Sequence, residues 1–287
     1  MRILVFVAFF LAMIPLVSLI WTVIAQGYGR INVEFLTHDM TGIFGGMTGG
    51  GIAHAAVGTL LITLMATLIS APIGLMTAVY LVEYGAGKSK LAKATTFFVD
   101  VMTGIPSIVA GLFAAALFAV SVGVGFRGGI MGAVALSVLM IPTVVRSSEE
   151  MLKLVPNELR EAAYALGVPK WKMIVKVVLR TSAAGITTSI MLAIARVIGE
   201  TAPLMITVGF VERMNTNVFN GAMTTLPVFV YYEYAKGDAP CRAGVANCVP
   251  TIHYERAWAA ALVLILVVML LNVIARLIAK KFAPKGE

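Results

Sequence analysis

The sequence predicts an all-α membrane protein with six transmembrane helices, and three observations carry that prediction. Of 287 residues, 60% are hydrophobic and only 13% are charged, with a mean hydropathy of +0.94. A soluble domain needs about a quarter of its residues charged to cover its surface. The apolar residues also gather into runs of about 20, the length of helix that crosses a hydrocarbon core. Finally, the net charge of +8 is not one basic patch with interleaved aromatics. Lys and Arg sit in the short loops between apolar runs, as membrane topology expects. Nucleic-acid binding is excluded on that ground.

The six runs lie at about 3–25, 57–83, 97–121, 129–147, 184–210 and 257–279. Arg2 precedes the first, which is too long for a signal-peptide core and lacks a small-x-small cleavage site, so it reads as an uncleaved span. With the N-terminus inside, 15 basic residues fall on the cytoplasmic side and 6 outside, with Arg196 within a span. Both termini of this multi-pass membrane protein are therefore expected in the cytoplasm.

The outer loops differ in character. Gly42 to Gly51 carries six glycines and is expected to be flexible. The stretch Thr225 to Ala235 (TLPVFVYYEYA) is apolar enough to pack on the membrane surface or dip into it. Cys241 and Cys248 share one outer loop, where disulfides persist. Their spacing permits a small closed loop, with two free thiols as the alternative. His38, His54 and His253 are far apart in sequence and read as solvated or interfacial; no Cys/His cluster has metal-ligand spacing.

Gly87-Lys88-Ser89 resembles the end of a phosphate-binding loop, but that pattern needs another Gly where Val82 stands, and no strand precedes it. It reads as a basic turn. Any ATP used must bind another chain.

The most informative segment follows the fourth span: Val155-Pro156-Asn157-Glu158-Leu159-Arg160-Glu161-Ala162-Ala163-Tyr164-Ala165-Leu166-Gly167-Val168-Pro169-Lys170-Trp171. Asn157 is a candidate N-cap, Gly167 a left-handed C-terminal cap, and Pro169 suits the first turn of a second helix. In the fifth span, Ser189, Ala193, Arg196, Glu200, Pro203 and Thr207 form a polar stripe on a continuous helix, with Arg196 and Glu200 spaced for mutual pairing. Such charges must face protein or water. The alternatives are a translocation path and an ion pair locking the helix to a partner subunit. Asp100 is expected near the start of the third span, where a carboxylate complements the helix dipole.

Glu161-Ala162-Ala163, followed after three residues by Gly167, resembles the EAA loop of ABC-importer permeases. Val177-Val178-Leu179-Arg180 stands where that family has Ile-x-Leu-Pro, so Arg180 departs from the pattern. Asp100 to Phe113 (DVMTGIPSIVAGLF) and Ala195 to Leu204 (ARVIGETAPL) are similar to signatures of phosphate permeases, and the Ala202-Pro203 ending resembles the PstA family. Arg146 to Glu150 also fits.

The resemblance implies the type I importer (MetI-like) transmembrane fold. Residues 1–56 would form the first helix and the Gly-rich external loop. Residues 57–287 would form the permease core, with the coupling loop at about 146–183. It implies a non-catalytic subunit importing inorganic phosphate, with ATP and Mg²⁺ held by a partner ATPase. The implied partners are a second, PstC-like permease, two PstB-like ATPases, a PstS-like phosphate-binding protein and membrane lipid. Arg160, Glu161, Ala162, Ala163 and Gly167 would couple to the ATPase. Ser189, Arg196, Glu200, Thr201 and Thr207 would line the pathway. The alternatives are another oxyanion, such as sulfate or molybdate, a phosphate-sensing scaffold, and a passive anion channel.

Overall fold

A computed structural model describes residues 1–85, 89–241 and 248–282. The turn at Gly87-Lys88 lies outside the described residues, as does Gly244 between the cysteines. All regular structure among the described residues is helical. Among the described residues, four helices are long and apolar enough to span a membrane, or six if two sharply bent pairs each count as one. The chain divides into two compact units.

The first unit comprises Met1–Thr59, Phe210–Thr216 and Met223–Val267. Its helices are α1 (Arg2–Gly27), α2 (Val33–Thr37), the start of α3 (Ala53–Val79), α12 (Leu226–Lys236) and most of α13 (Ile252–Phe282). Among the described residues of α1, Val23 and Gly27 alone are buried, so its apolar flank is left to lipid or another chain. Asn32 caps α2 by accepting from the Phe35 amide at 2.7 Å. Phe35, Met40, Ile52, Leu226 and Phe229 form the core, with Ala55, Ala259 and Ala260 allowing close packing.

Three expectations are corrected in this unit. The glycine-rich loop is folded: Arg256 donates to the carbonyls of Met47 and Gly49 at 2.7 and 2.8 Å, and the Val249 amide donates to Gly46 at 2.9 Å. Its glycines allow close approach of other chain segments. The TLPVFVYYEYA segment is α12, with Leu226 to Phe229 in the core rather than on a membrane surface. His54 and His253 are buried: His54 packs edge-on against Phe229, and His253 pairs with Glu233. Cys241 and Cys248 form a disulfide, with Cα atoms 5.7 Å apart.

The second unit comprises Leu60–Gly209, Asn217–Ala222 and Val268–Glu287. At its centre is α6 (Gly129–Lys153), small and apolar on most faces and buried along most of its length. Around it pack α4 (Lys90–Thr103), α5 (Ser107–Ser121), α10 (Ala183–Val197) and α11 (Ala202–Thr207). The short α7 (Asn157–Ala165), α8 (Lys170–Met173) and α9 (Leu179–Thr181) lie between α6 and α10; a π-helical stretch links α8 to α9.

Two of the expected spans are broken. The third turns through 110° between α4 and α5, at Gly104-Ile105-Pro106. Pro106 disfavours helical backbone in the residue before it. The fifth stops at Val197 and resumes at Ala202. Inside a continuous helix Pro203 would lack a donor and its ring would clash with the carbonyl four residues earlier, so the chain unwinds over 198–201 instead. The stripe from Ser189 to Thr207 is therefore split across two helices. Asp100 is likewise displaced: it sits in the last turn of α4, where the dipole disfavours a carboxylate, and an ion pair with Arg146 offsets this.

Candidate functional site

The coupling segment is built from the second unit's packing. Ala163 is buried with Leu152, Val155, Met173, Ile174 and Val178, and this anchors one face of α7. Helix α7 begins at Asn157 with Pro156 in the capping position, one residue earlier than expected, and the Asn157 side-chain oxygen accepts from Arg160 Nη1 at 3.3 Å. Its end forms a Schellman motif: the Val168 amide donates to Ala163 at 3.1 Å and the Gly167 amide to Tyr164 at 2.9 Å. Gly167 has φ +70°, a conformation that costs a residue with a Cβ. Pro169 lies just before α8 and its carbonyl accepts from Lys172 and Met173, both at 3.0 Å.

Arg160 faces inward. Its Nε and Nη2 donate to Glu83 Oε1 at 3.1 and 2.9 Å, and Nη2 also reaches the Leu152 carbonyl at 3.0 Å. Sequence reading missed Glu83; its signal was an acid at the end of an apolar run. Arg160 thus clamps α7 to the π-helical turn Tyr80–Gly85 that follows α3, while Glu161 and Ala162 remain exposed. Leu159, Tyr164, Leu166 and Trp171 are exposed in the same segment and form an apolar surface set. Behind it, Asp100, Arg146, Glu149 and Lys153 form a chain of ion pairs: Arg146 to Asp100, Arg146 to Glu149 at 3.0 Å, and Lys153 to Glu149 at 2.7 Å.

The membrane arginine lies at the second break. Arg196 is in the last turn of α10, exposed, and its Nη1 donates to Thr143 Oγ1 on α6 at 3.3 Å. A cation at a helix C-terminus complements the dipole. The expected pair with Glu200 does not form: no ion pair joins the two among the described residues, because Glu200 lies in the unwound stretch. The four-residue spacing has meaning only on continuous helix. Thr201 precedes α11 and accepts from the Met205 amide at 3.0 Å. Ser189 and Thr207 are buried, each hydroxyl donating to the carbonyl four residues back, to Gly185 at 3.0 Å and Pro203 at 2.8 Å.

The two signature segments pack on each other. A Cβ at Gly111 in α5 would lie 2.7 Å from Pro203 Cα and 2.9 Å from its carbonyl oxygen. The glycine is needed so that α5 can meet the proline that starts α11.

A broken-span helical bundle carrying a clamped helix pair between spans is the architecture of a transporter permease of the importer class. A family model described as "Binding-protein-dependent transport system inner membrane component" matches residues 70–285. The phosphate transport system permease protein PstA 1 of Mycobacterium tuberculosis (strain CDC 1551 / Oshkosh) is 46% identical over 274 residues, 95% of this chain and 85% of that protein. Two solved structures share the fold. The MetNI methionine ABC transporter in an inward-facing conformation matches with TM-score 0.60 at 19% identity, over 82% of this chain and 95% of that one. A bacterial alginate ABC transporter, in complex with its pentasaccharide-bound periplasmic protein, matches with TM-score 0.68 at 12% identity, over 100% and 96%. The chain belongs to the binding-protein-dependent inner membrane permeases and, within them, to the PstA family.

Proposed function

We propose that this chain is the membrane permease subunit through which an ABC importer moves inorganic phosphate into the cytoplasm, with Arg196 lining the path. The observation that carries the reading is Arg196 itself: an exposed guanidinium at a break in a membrane helix, with one hydroxyl as its hydrogen-bond partner among the described residues. Four further N–H donors of its fork are thereby available, and a planar fork suits a tetrahedral oxyanion by two parallel bonds. The unwound backbone at 198–201 adds polar groups beside it, and Glu200 there weakens the local positive field so that phosphate can leave. The PstA name of the relative supports phosphate over sulfate or molybdate.

The rest of the assembly follows the same reading. A PstC-like permease completes the path, and a PstS-like protein delivers phosphate from outside. Two PstB-like ATPases bind ATP and Mg²⁺, so this subunit performs no bond chemistry. The permease core is residues 57–287, preceded by the first helix and external loop at 1–56. Both termini lie in the cytoplasm, where the loop at about 146–183 presents Glu161, Ala162 and the exposed side chains beside them to an ATPase. Arg160, Ala163 and Gly167 hold that surface in shape.

The test is uptake by the reconstituted complex carrying Arg196→Gln. Two charge-assisted bonds contribute enough that their loss should lower phosphate uptake by at least about 100-fold. Subunit composition on a sizing column should be unchanged. Near-normal uptake by an assembled complex refutes the pathway role. Loss of subunits assigns Arg196 to the permease interface instead. Uptake of sulfate or molybdate in preference to phosphate by the unaltered complex refutes the substrate.

A further inference from the structure

A groove of about 530 Å³ runs beside the end of α3 in the second unit, walled by Met76, Val79, Tyr80, Tyr84, Val175 and Leu179. Met76, Tyr84 and Val175 are more than half exposed. Its floor is apolar, so it suits hydrocarbon. Tyr84 is held in place by Lys170, whose Nζ sits 4.5 Å over the ring and donates to the Glu83 carbonyl at 2.6 Å.

The helical stretch from Lys170 to Thr181 supplies one wall. It contains four basic residues and no acid. Lys172, Lys176 and Arg180 recur every fourth residue across α8, the π-helical stretch and α9, and form a basic column on the exposed side of a stretch that buries Met173, Ile174 and Val178. All three are exposed, and none is in an ion pair among the described residues. Val175 and Leu179 each precede a member of that column by one residue, so the apolar wall and the basic column run side by side. The stretch meets α10 at 71°, which sets it off the line of the span.

From this juxtaposition we infer that the groove and the basic column together form a binding site for an anionic phospholipid. The acyl chain lies against Met76, Val79, Val175 and Leu179. The headgroup phosphate is met by Lys172, Lys176 and Arg180. Tyr80 and Tyr84 in its wall carry the amphipathic rings that favour a membrane interface. Charge decides the occupant: three unneutralised cations beside hydrocarbon-lined space select a lipid with net negative charge over a zwitterionic one. Arg180, which replaces the proline of the family pattern, thereby acquires a role. The inference requires only that the chain crosses a bilayer and is independent of the solute carried.

The experiment offers the intact complex phosphatidylglycerol and phosphatidylcholine of equal chain length and counts retained lipid by native mass spectrometry. Each cation near an anionic surface favours binding about fivefold, so phosphatidylglycerol should be retained at least about fivefold over phosphatidylcholine. K172Q/K176Q/R180Q should bring the ratio close to one. Met76→Trp obstructs the groove but keeps the cations, and should lower retention of both lipids. Equal retention by the unaltered complex overturns the site, as does an unchanged preference in the triple variant. Should the triple variant not assemble, a photoreactive residue at position 76 decides: an adduct with phosphatidylglycerol supports the site, and an adduct with another subunit overturns it.

Discussion

Glu233 in the first unit and Arg196 in the second are both charges on largely apolar helices, yet their surroundings differ in kind. Glu233 is wholly buried and fully answered: Lys236 Nζ lies 2.6 Å from one oxygen and His253 Nδ1 2.9 Å from the other, with Arg256 Nη1 at 3.9 Å. Arg256 in turn holds the glycine-rich loop by two carbonyls. Arg196 is exposed and, among the described residues, meets a single neutral hydroxyl at 3.3 Å. A charge surrounded by opposite charge and excluded from solvent holds structure, because removing one member leaves the others uncompensated. A charge with spare donors facing open space is placed to meet something else.

The sharpest way to break this comparison is to delete each charge and measure stability. Glu233→Ala leaves the buried Arg256 guanidinium and the partly buried Lys236 ammonium without their carboxylate, and should cost about 3–5 kcal/mol, read as a large fall in melting temperature or in yield. Arg196→Gln should change stability by less than about 1 kcal/mol while stopping uptake, since the lost contact is one exposed hydrogen bond. Equal stability losses in the two variants would erase the distinction.

Opening the disulfide probes the same unit at lower cost. The short Cys241–Cys248 loop should contribute about 2.5 kcal/mol on a chain-entropy estimate. Cys241→Ser with Cys248→Ser should therefore lower the unfolding temperature with no change in uptake below it. In the second unit, Gly111→Ala forces a Cβ against Pro203 backbone. A loss of about 1–3 kcal/mol is expected from overpacking. Unaltered melting would mean that α5 and α11 are free to separate.

The smallest effect concerns Asp39. Burial alone raises its carboxyl, but donation from the Thr41 and Met214 backbone amides more than offsets this and holds it below the ordinary carboxylate value. A depressed folded value means that its contribution is present above the unfolded pKa and is lost as pH falls through the folded one. Wild type should thus lose its advantage over Asp39→Asn below about pH 4. The advantage is a few tenths of a kcal/mol, because the group is only partly buried and solvent screens its interactions. Melting curves from pH 3 to 6 measure it; a gap that widens on acidification contradicts the assignment.

Much of this was legible from residue order. Long apolar runs, the left-handed Gly167 and the EAA pattern depend on neighbours within one or two turns, and the structure agrees with each. The misplaced features were those whose meaning depends on distant chain. The two broken spans were signalled locally by Pro106 and Pro203, but apolar length outweighed them in the sequence reading. His253, the glycine-rich loop and the TLPVFVYYEYA segment were read as surface because nothing adjacent in sequence covers them; Arg256, Glu233 and Phe35 do so from up to about 200 residues away.

Composition, periodicity and capping residues by themselves determined that this chain crosses a membrane as helices and carries a helix–turn–helix after the fourth span, because solvent transfer and backbone capping are local quantities; the importer type was read from the resemblance of that segment to the EAA loop. Only the tertiary structure decided which charges are answered. Arg196 and Glu200 are a plausible pair on paper, four residues apart. Unwinding at Pro203 separates them, and the packing of α10 on α6 gives Arg196 to Thr143 instead, since a side chain's partner is set by what the fold brings within reach of its donors.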